Sequence, residues 1–151
     1  MKITQLGLLA LCVMFFTSCV STKTFLKNDQ IPVDFGKGNS TIIIVTSGKT
    51  KVDKFVTYAF EKYYKGNFES GKNSSATKQN TSSHFYTFNT YMDFNPGSFT
   101  SSGRQAPSTD IYFGITDLKT NKIYKNLRYG NYKKCAKFFI QALEVVRSRN
   151  E

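Results

Sequence analysis

Two adjoining hydrophobic patterns in the first half of the chain constrain the fold more than any other feature. Thr41 to Thr46 contains only β-branched residues, which is typical of a strand buried on both faces and indicates the central strand of a sheet. After the turn Ser47 to Thr50, apolar residues from Val52 to Tyr64 follow at helical spacing, and Gly66 ends the pattern. A buried strand that leads into an amphipathic helix predicts a sheet with helices packed against it.

Three further strands are predicted downstream. Phe85 to Asn95 alternates between apolar and polar residues, which is typical of a strand with one buried face. Asp110 to Thr116 and Lys122 to Tyr129 predict a hairpin. Asn121 stands at the position of its turn that needs a left-handed backbone, which asparagine tolerates better than most residues.

A second helix completes the predicted fold. Asn131 can cap it, and apolar residues from Tyr132 to Val146 keep the helical period. The order is strand, helix, three strands, helix. The first two strands can be parallel through a right-handed crossover, whereas the hairpin is antiparallel. We therefore expect an α+β fold with two layers: a mixed four-stranded sheet with two helices on one face.

Two polar segments separate these elements. Residues 67–83 are rich in Ser, Asn, Lys and Gly, and residues 96–109 form a second segment rich in Gly, Ser and Pro. Both are long for routine connections. Loops on a rigid scaffold commonly carry function, so we expect any partner to gain specificity from them.

The first nineteen residues form a separate unit. Lys2 provides a basic start, Leu6 to Phe16 is an uninterrupted run of apolar or small residues, and two small residues precede Cys19. This pattern indicates an export signal. The run is shorter than the roughly 20 apolar residues that a membrane-spanning helix needs. Phe16 to Cys19 resembles the lipobox of bacterial lipoproteins.

The lipobox resemblance implies that residues 1–18 are a signal peptide that is removed and that Cys19 is lipidated. Several acyl chains such as palmitate on one cysteine anchor a protein durably in a membrane. Residues 20–23 contain no acidic side chain, which by the same resemblance fits the outer membrane, with the domain facing the periplasm. Residues 19–39 are then a lipidated N-terminus and flexible tether, and residues 40–151 are a single α+β domain.

The charge of the chain bears on its partners. The formal net charge is +11, and the lysines are spread along the sequence. Because an exported domain does not meet nucleic acid, we expect no nucleic-acid partner. Besides the membrane that holds the lipid anchor, the expected partners are an envelope protein or an anionic or glycan polymer of the envelope.

The cysteines and the histidine predict no metal, cofactor or disulfide. Once Cys12 is removed with the signal and Cys19 is lipidated, only Cys135 remains, so stability must come from packing. Cys135 lies on the apolar face of the second predicted helix, where a thiol behaves as a small hydrophobe. It and His84 do not form a ligand cluster at a recognised spacing.

Candidate catalytic motifs are weak. Gly48-Lys49-Thr50 resembles the end of a phosphate-binding loop, but the first glycine of that motif would fall at Ile43. Glycan hydrolysis needs two carboxylates at one site. Asp110 and Asp117 are predicted to be turn formers at strand ends, so Asp93 remains as a single unexplained acid. No catalytic residue is predicted, and whether the protein is an enzyme stays open.

Aromatic residues provide the remaining signal, since the chain has nine tyrosines and no tryptophan. We predict a binding face on the side of the sheet away from the helices, because tyrosines there can stack on sugar rings or anchor a protein. The predicted face consists of Tyr91, Asp93, Tyr112, Tyr124 and Tyr129.

The element order, with Asp117, Thr120 and Tyr124 in the hairpin, looks like that of small α+β domains of envelope lipoproteins. Such domains include some that activate peptidoglycan synthases or help to assemble secretion channels. The resemblance implies a non-enzymatic, outer-membrane lipoprotein whose domain binds another envelope protein or an envelope polymer. Two alternatives stay open: an envelope hydrolase acting on peptidoglycan or glycan, and a basic envelope-integrity factor that binds lipopolysaccharide.

Overall fold

The computed structural model describes residues 21–27, 29–38, 40–71, 84–101, 103–126 and 131–151, with the backbone alone at positions 84, 85 and 100. Three helices and seven strands lie within these ranges. The helices are α1 Thr22–Lys27, α2 Thr50–Tyr63 and α3 Tyr132–Asn150. The strands are β1 Thr41–Val45, β2 Phe68–Gly71, β3 His84–Asn95, β4 Ser98–Thr100, β5 Gly103–Gln105, β6 Ser108–Asp117 and β7 Lys122–Lys125.

Five of these strands form one mixed sheet in the order β2-β1-β3-β6-β7. β1 is parallel to both β2 and β3, whereas β3, β6 and β7 are joined by antiparallel pairings. The α+β class and the mixed sheet are therefore confirmed. The predicted number of elements is wrong, because the sheet has five strands rather than four and a third helix is present.

The additional strand β2 explains why β1 is not the central strand. β2 lies at the edge of the sheet, inside the segment 67–83 that we predicted to be a loop. Only one of its residues is strongly apolar: Phe68, which pairs with Ile42 and whose ring lies 5.4 Å from that of Phe60. An exposed edge strand needs few apolar residues, so its composition resembles that of a loop. β3 occupies the centre.

The second predicted loop, residues 96–109, also contains strands. β3 and β6 pair from Tyr86↔Asp117 to Asn95↔Ser108, and β4 and β5 extend the hairpin as a separate two-stranded sheet. Its side chains are exposed, as Phe99 shows with 85% of its surface accessible. A strand pair with no buried face produces no alternating pattern that sequence analysis can detect.

The segment that precedes β1 differs from the flexible tether predicted for residues 19–39. Phe25 is 1% exposed and Phe35 is 0% exposed. The Phe25 ring lies 5.2 Å from that of Phe139 on α3, and the Phe35 ring lies 5.0 Å from that of Tyr86 on β3. Residues 21–27 and 29–38 thus belong to the domain. A helix of six residues followed by turns has no sustained period, which is why the pattern suggested a tether.

One hydrophobic core joins the three helices to one face of the sheet. Phe88 lies at its centre, with its ring 4.9 Å from that of Phe60 on α2 and 5.9 Å from that of Phe139 on α3. On the other face of the sheet, Ile43 and Val45 are also buried. The prediction that β1 is buried on both sides is confirmed.

Local polar contacts hold the ends of these elements. The Asn131 side chain caps α3 by accepting hydrogen bonds from the backbone N–H groups of Lys133 and Lys134. In the hairpin turn the Asp117 carboxylate accepts from the Lys119 backbone and the Thr120 hydroxyl, while the φ of Asn121 is 55°. The predicted cap and the predicted left-handed asparagine are both confirmed.

Cys135 is part of the core, as predicted. Its Sγ accepts a hydrogen bond from the Asn126 amide at 3.0 Å, and the Asn126 carbonyl oxygen accepts from the backbone N–H of Phe113 at 2.9 Å. Burial raises the pKa of the Cys135 thiol to about 12. The thiol therefore stays protonated at neutral pH and acts as a packing group, since only a thiolate is a strong nucleophile.

Candidate functional site

The face of the sheet away from the helices carries a cluster of aromatic and charged side chains. Tyr91 on β3 and Tyr112 on β6 stand directly opposite each other in the antiparallel pairing. Their ring centroids are 5.2 Å apart and their planes differ by 15°. Directly opposed residues share a face and lie within contact distance, so the two half-buried rings form one aromatic platform.

Two carboxylates lie next to this platform. Asp93 and Asp110 are the next pair on the same face, again directly opposite each other, and the Tyr112 hydroxyl donates to Asp93 Oδ1 at 3.5 Å. The prediction that Asp110 forms a turn at a strand end is wrong, because it lies within β6. To predict from the sequence that Asp93 and Asp110 are paired, one must know the register of the β3–β6 hairpin. The β4–β5 extension, which sequence analysis did not detect, sets that register.

A lysine lies at the other end of the platform. Lys125 Nζ on β7 is 4.6 Å from the centroid of the Tyr91 ring. Gly114 makes room for this arrangement: a Cβ there would stand 3.1 Å from Tyr91 Cε2 and 2.8 Å from the backbone oxygen of Tyr124. The ring can therefore lie across β6 toward Lys125, where the cation meets its negative face.

Farther along β3, Asn89 adds an amide to the same face. Its side-chain nitrogen donates to the hydroxyls of Thr87 and Thr116, each at 3.0 Å. These bonds fix the orientation of the amide and leave its carbonyl oxygen as a defined acceptor. We call the whole set the open-face cluster; it consists of Asn89, Tyr91, Asp93, Asp110, Tyr112 and Lys125.

The structure brings together three of the residues that were predicted for the binding face: Tyr91, Asp93 and Tyr112. The placement of Tyr124 on this face is wrong. Tyr124 pairs with Ile115, a core residue, so its side chain lies on the helical side of the sheet. Tyr129 and Cys19 lie outside the described residues.

A cavity of about 170 Å³ at the helical side of the sheet offers a different set of polar groups. It is lined by Asp34, Lys37, Tyr86, Asp117 and Lys119. The Tyr86 hydroxyl donates to Asp34 at 3.5 Å, and burial raises the pKa of Tyr86 above its usual value. Because the Asp117 carboxylate is already bound by the hairpin turn, this cavity suits a structural role better than acid–base chemistry.

Within the described ranges, the His, Cys, Asp and Glu side chains do not come together in any group of three that could hold a metal ion. None of the three described helices has the length and hydrophobicity that crossing a membrane requires. Comparisons with protein-family models, with curated proteins and with solved structures return no match to this chain. A proposal for the function must therefore rest on the side chains of the chain itself.

Proposed function

We propose that this protein is a non-enzymatic lipoprotein, anchored in the outer membrane through Cys19 and facing the periplasm. Its domain binds a glycan polymer of the envelope through the open-face cluster. One observation carries the binding proposal: the stacked rings of Tyr91 and Tyr112 are flanked by carboxylates at one end and by an ammonium group at the other.

This arrangement matches the chemistry of a sugar chain. Aromatic rings contact the apolar faces of sugar rings, while their polar ends stay near water. The carboxylates of Asp93 and Asp110 can accept hydrogen bonds from sugar hydroxyls, and a charged acceptor makes such bonds stronger than neutral ones. Lys125 supplies a donor at the far end. An extended polymer lying along β3 and β6 would meet all three kinds of group.

The shape of the face favours binding over catalysis. The Asp93 and Asp110 pair stands on the surface of a sheet, with Asp110 exposed to solvent. Charge stabilisation in an active site depends on excluding water and on preorganised groups around the reacting bond. A solvated surface provides a platform for recognition but little of that environment.

The hydrolase alternative retains one supporting observation. Opposed residues in an antiparallel pair have Cβ atoms about 4.5–5.5 Å apart, and retaining glycosidases hold their two carboxyl groups about 5 Å apart. The register of Asp93 and Asp110 places their Cβ atoms at this separation. A test of binding must therefore also look for turnover.

Replacing Tyr91 by alanine is expected to weaken binding to insoluble envelope glycan at least about tenfold, because removal of a central aromatic anchor commonly costs more than 1.4 kcal/mol. The measurement is co-sedimentation of the purified protein with glycan sacculi at several glycan concentrations. Tyr124→Ala is the matched control, since it removes the same side chain from the other face of the sheet.

Equal co-sedimentation of Tyr91→Ala and the parent would overturn the glycan proposal. Release of soluble sugar ends by the parent, lost in Asp93→Asn, would establish the hydrolase instead. Crosslinking from position 112 that recovers one reproducible envelope protein, without glycan binding, would assign the face to a protein partner. Urea unfolding of each variant verifies that the domain is intact.

A further inference from the structure

Positive charge is segregated to the helical layer of the domain. The three helices carry ten lysine and arginine side chains against three acidic ones. The seven strands carry three basic side chains against four acidic ones. Among the described helices and strands, the excess of positive charge therefore lies in the helical layer, on the side of the sheet opposite the open face.

Aromatic rings lie among these lysines on the outer surface of α2 and α3. Lys133 Nζ is 5.9 Å from the centroid of the Phe55 ring, and Lys137 Nζ is 5.5 Å from that of Tyr63. Lys62 Nζ is 5.7 Å from the Tyr63 ring and donates to the Tyr58 hydroxyl at 3.0 Å. We call this the helical basic surface; it consists of Phe55, Tyr58, Lys62, Tyr63, Lys133 and Lys137.

The lysines of this surface are available to an external anion. Two ion pairs join Arg147 to Glu144 and to Glu151. Among the described residues, no carboxylate pairs with Lys62, Lys133 or Lys137. Lys62 is fully exposed, and the Tyr58 hydroxyl raises the pKa of its ammonium group. The surface therefore presents permanent positive charge beside half-buried aromatic rings.

The chain also enters the domain from this layer. α1 packs against α3 through Phe25 and Phe139, and the Thr22 hydroxyl donates to Gln141 Oε1 at 3.4 Å. Two residues of chain span at most about 7 Å. A lipid on Cys19 would therefore hold the helical layer, rather than the sheet, next to the bilayer.

We propose that the helical basic surface binds the anionic phospholipid headgroups of the membrane that carries the anchor. Lysines near such a surface are attracted to its negative potential, and tyrosine rings, which have an apolar body and a polar hydroxyl, suit the boundary between headgroups and water. The open face then points away from the membrane, toward the polymer. The inference rests on the proposed function in one respect: the lipid anchor on Cys19 sets the distance between the helical layer and the membrane. The positive charge and the aromatic rings of the surface do not depend on the anchor.

The test is lysine footprinting of the full protein, taken with its own N-terminus from cell membranes. It is reconstituted in vesicles of phosphatidylcholine, either alone or mixed with phosphatidylglycerol. Brief acetylation followed by peptide mass spectrometry measures the reactivity of each lysine. Lys62, Lys133 and Lys137 should react at least about threefold less in the anionic vesicles than in vesicles of phosphatidylcholine alone. Lys125, which lies over the Tyr91 ring on the open face, should react equally in both. High salt should remove the difference, because it screens surface charge.

Two charge-reversed variants sharpen the result. Lys133→Glu with Lys137→Glu should abolish the protection of Lys62, whereas Lys119→Glu with Lys122→Glu, the same charge change at the hairpin turn, should preserve it. Equal reactivity of Lys62 in both kinds of vesicle, or protection of Lys125 instead, overturns the proposal. The mass of the N-terminal peptide reports lipidation of Cys19 separately, and co-sedimentation of Tyr91→Ala reports glycan binding. Failure of one proposal is therefore distinguishable from failure of the other.

Discussion

Phe88→Ala is expected to lower the free energy of unfolding by about 3–5 kcal/mol, the usual cost of removing a buried phenylalanine ring. Phe88 is 0% exposed and lies on the central strand. Its ring is 4.9 Å from that of Phe60, 5.6 Å from that of Phe113 and 5.9 Å from that of Phe139. Two helices and two strands therefore lose a shared contact. Small domains are stable by about 5–15 kcal/mol, so much of the total would be lost.

Urea unfolding followed by circular dichroism measures this loss. Phe94→Ala is the matched control, because Phe94 lies on the same strand and the same face, six residues farther along, but is 69% exposed. Its truncation should change stability by less than about 0.5 kcal/mol. If Phe94→Ala lowered the free energy of unfolding as much as Phe88→Ala does, the side chain of Phe94 would be part of the hydrophobic core, contrary to the structure.

Periodic patterns predicted the elements that have one clearly buried face. The alternation in β3 and the helical stripes of α2 and α3 arise because each buries one side against the same core. α1 and β2 escaped prediction for a different reason. A six-residue helix and a four-residue edge strand are held by tertiary contacts such as Phe25 on Phe139 and Phe68 on Phe60, and isolated helices of that length are not stable.

The same reasoning separates the parts of the open face that could be predicted from those that could not. Tyr91 and Asp93 share a face because they alternate along one strand, which needs no knowledge of other strands. Assigning Asp110 and Tyr124 requires the register across two hairpins, and a shift of one residue reverses the face. The β4–β5 extension and the turn after Asp117 set those registers through contacts that leave no apolar period.

Gly36→Ala is expected to destabilise the domain by about 2–4 kcal/mol, from a strained backbone and an overpacked contact together. The φ of Gly36 is +90°, and a Cβ there would stand 2.7 Å from Arg147 Cα and 2.8 Å from Arg147 Cγ. Arg147 cannot move away easily, because Glu144 accepts from its Nε at 2.9 Å and from its second terminal nitrogen at 2.8 Å. Urea unfolding again provides the measurement.

Gly38→Ala isolates the contact from the strain. Gly38 also has a positive φ, +76°, but a Cβ there would meet nothing within 4 Å, so only the backbone penalty of about 1–2 kcal/mol should remain. The excess cost of Gly36→Ala over Gly38→Ala reports how tightly residues 29–38 pack against α3. In a flexible tether neither glycine would have a fixed φ, and both variants would be silent. In that case a lipid on Cys19 would no longer hold the helical layer close to the bilayer. The distance from Cys19 to α3 would be set by a flexible tether of about twenty residues, rather than by the two residues that precede Ser21.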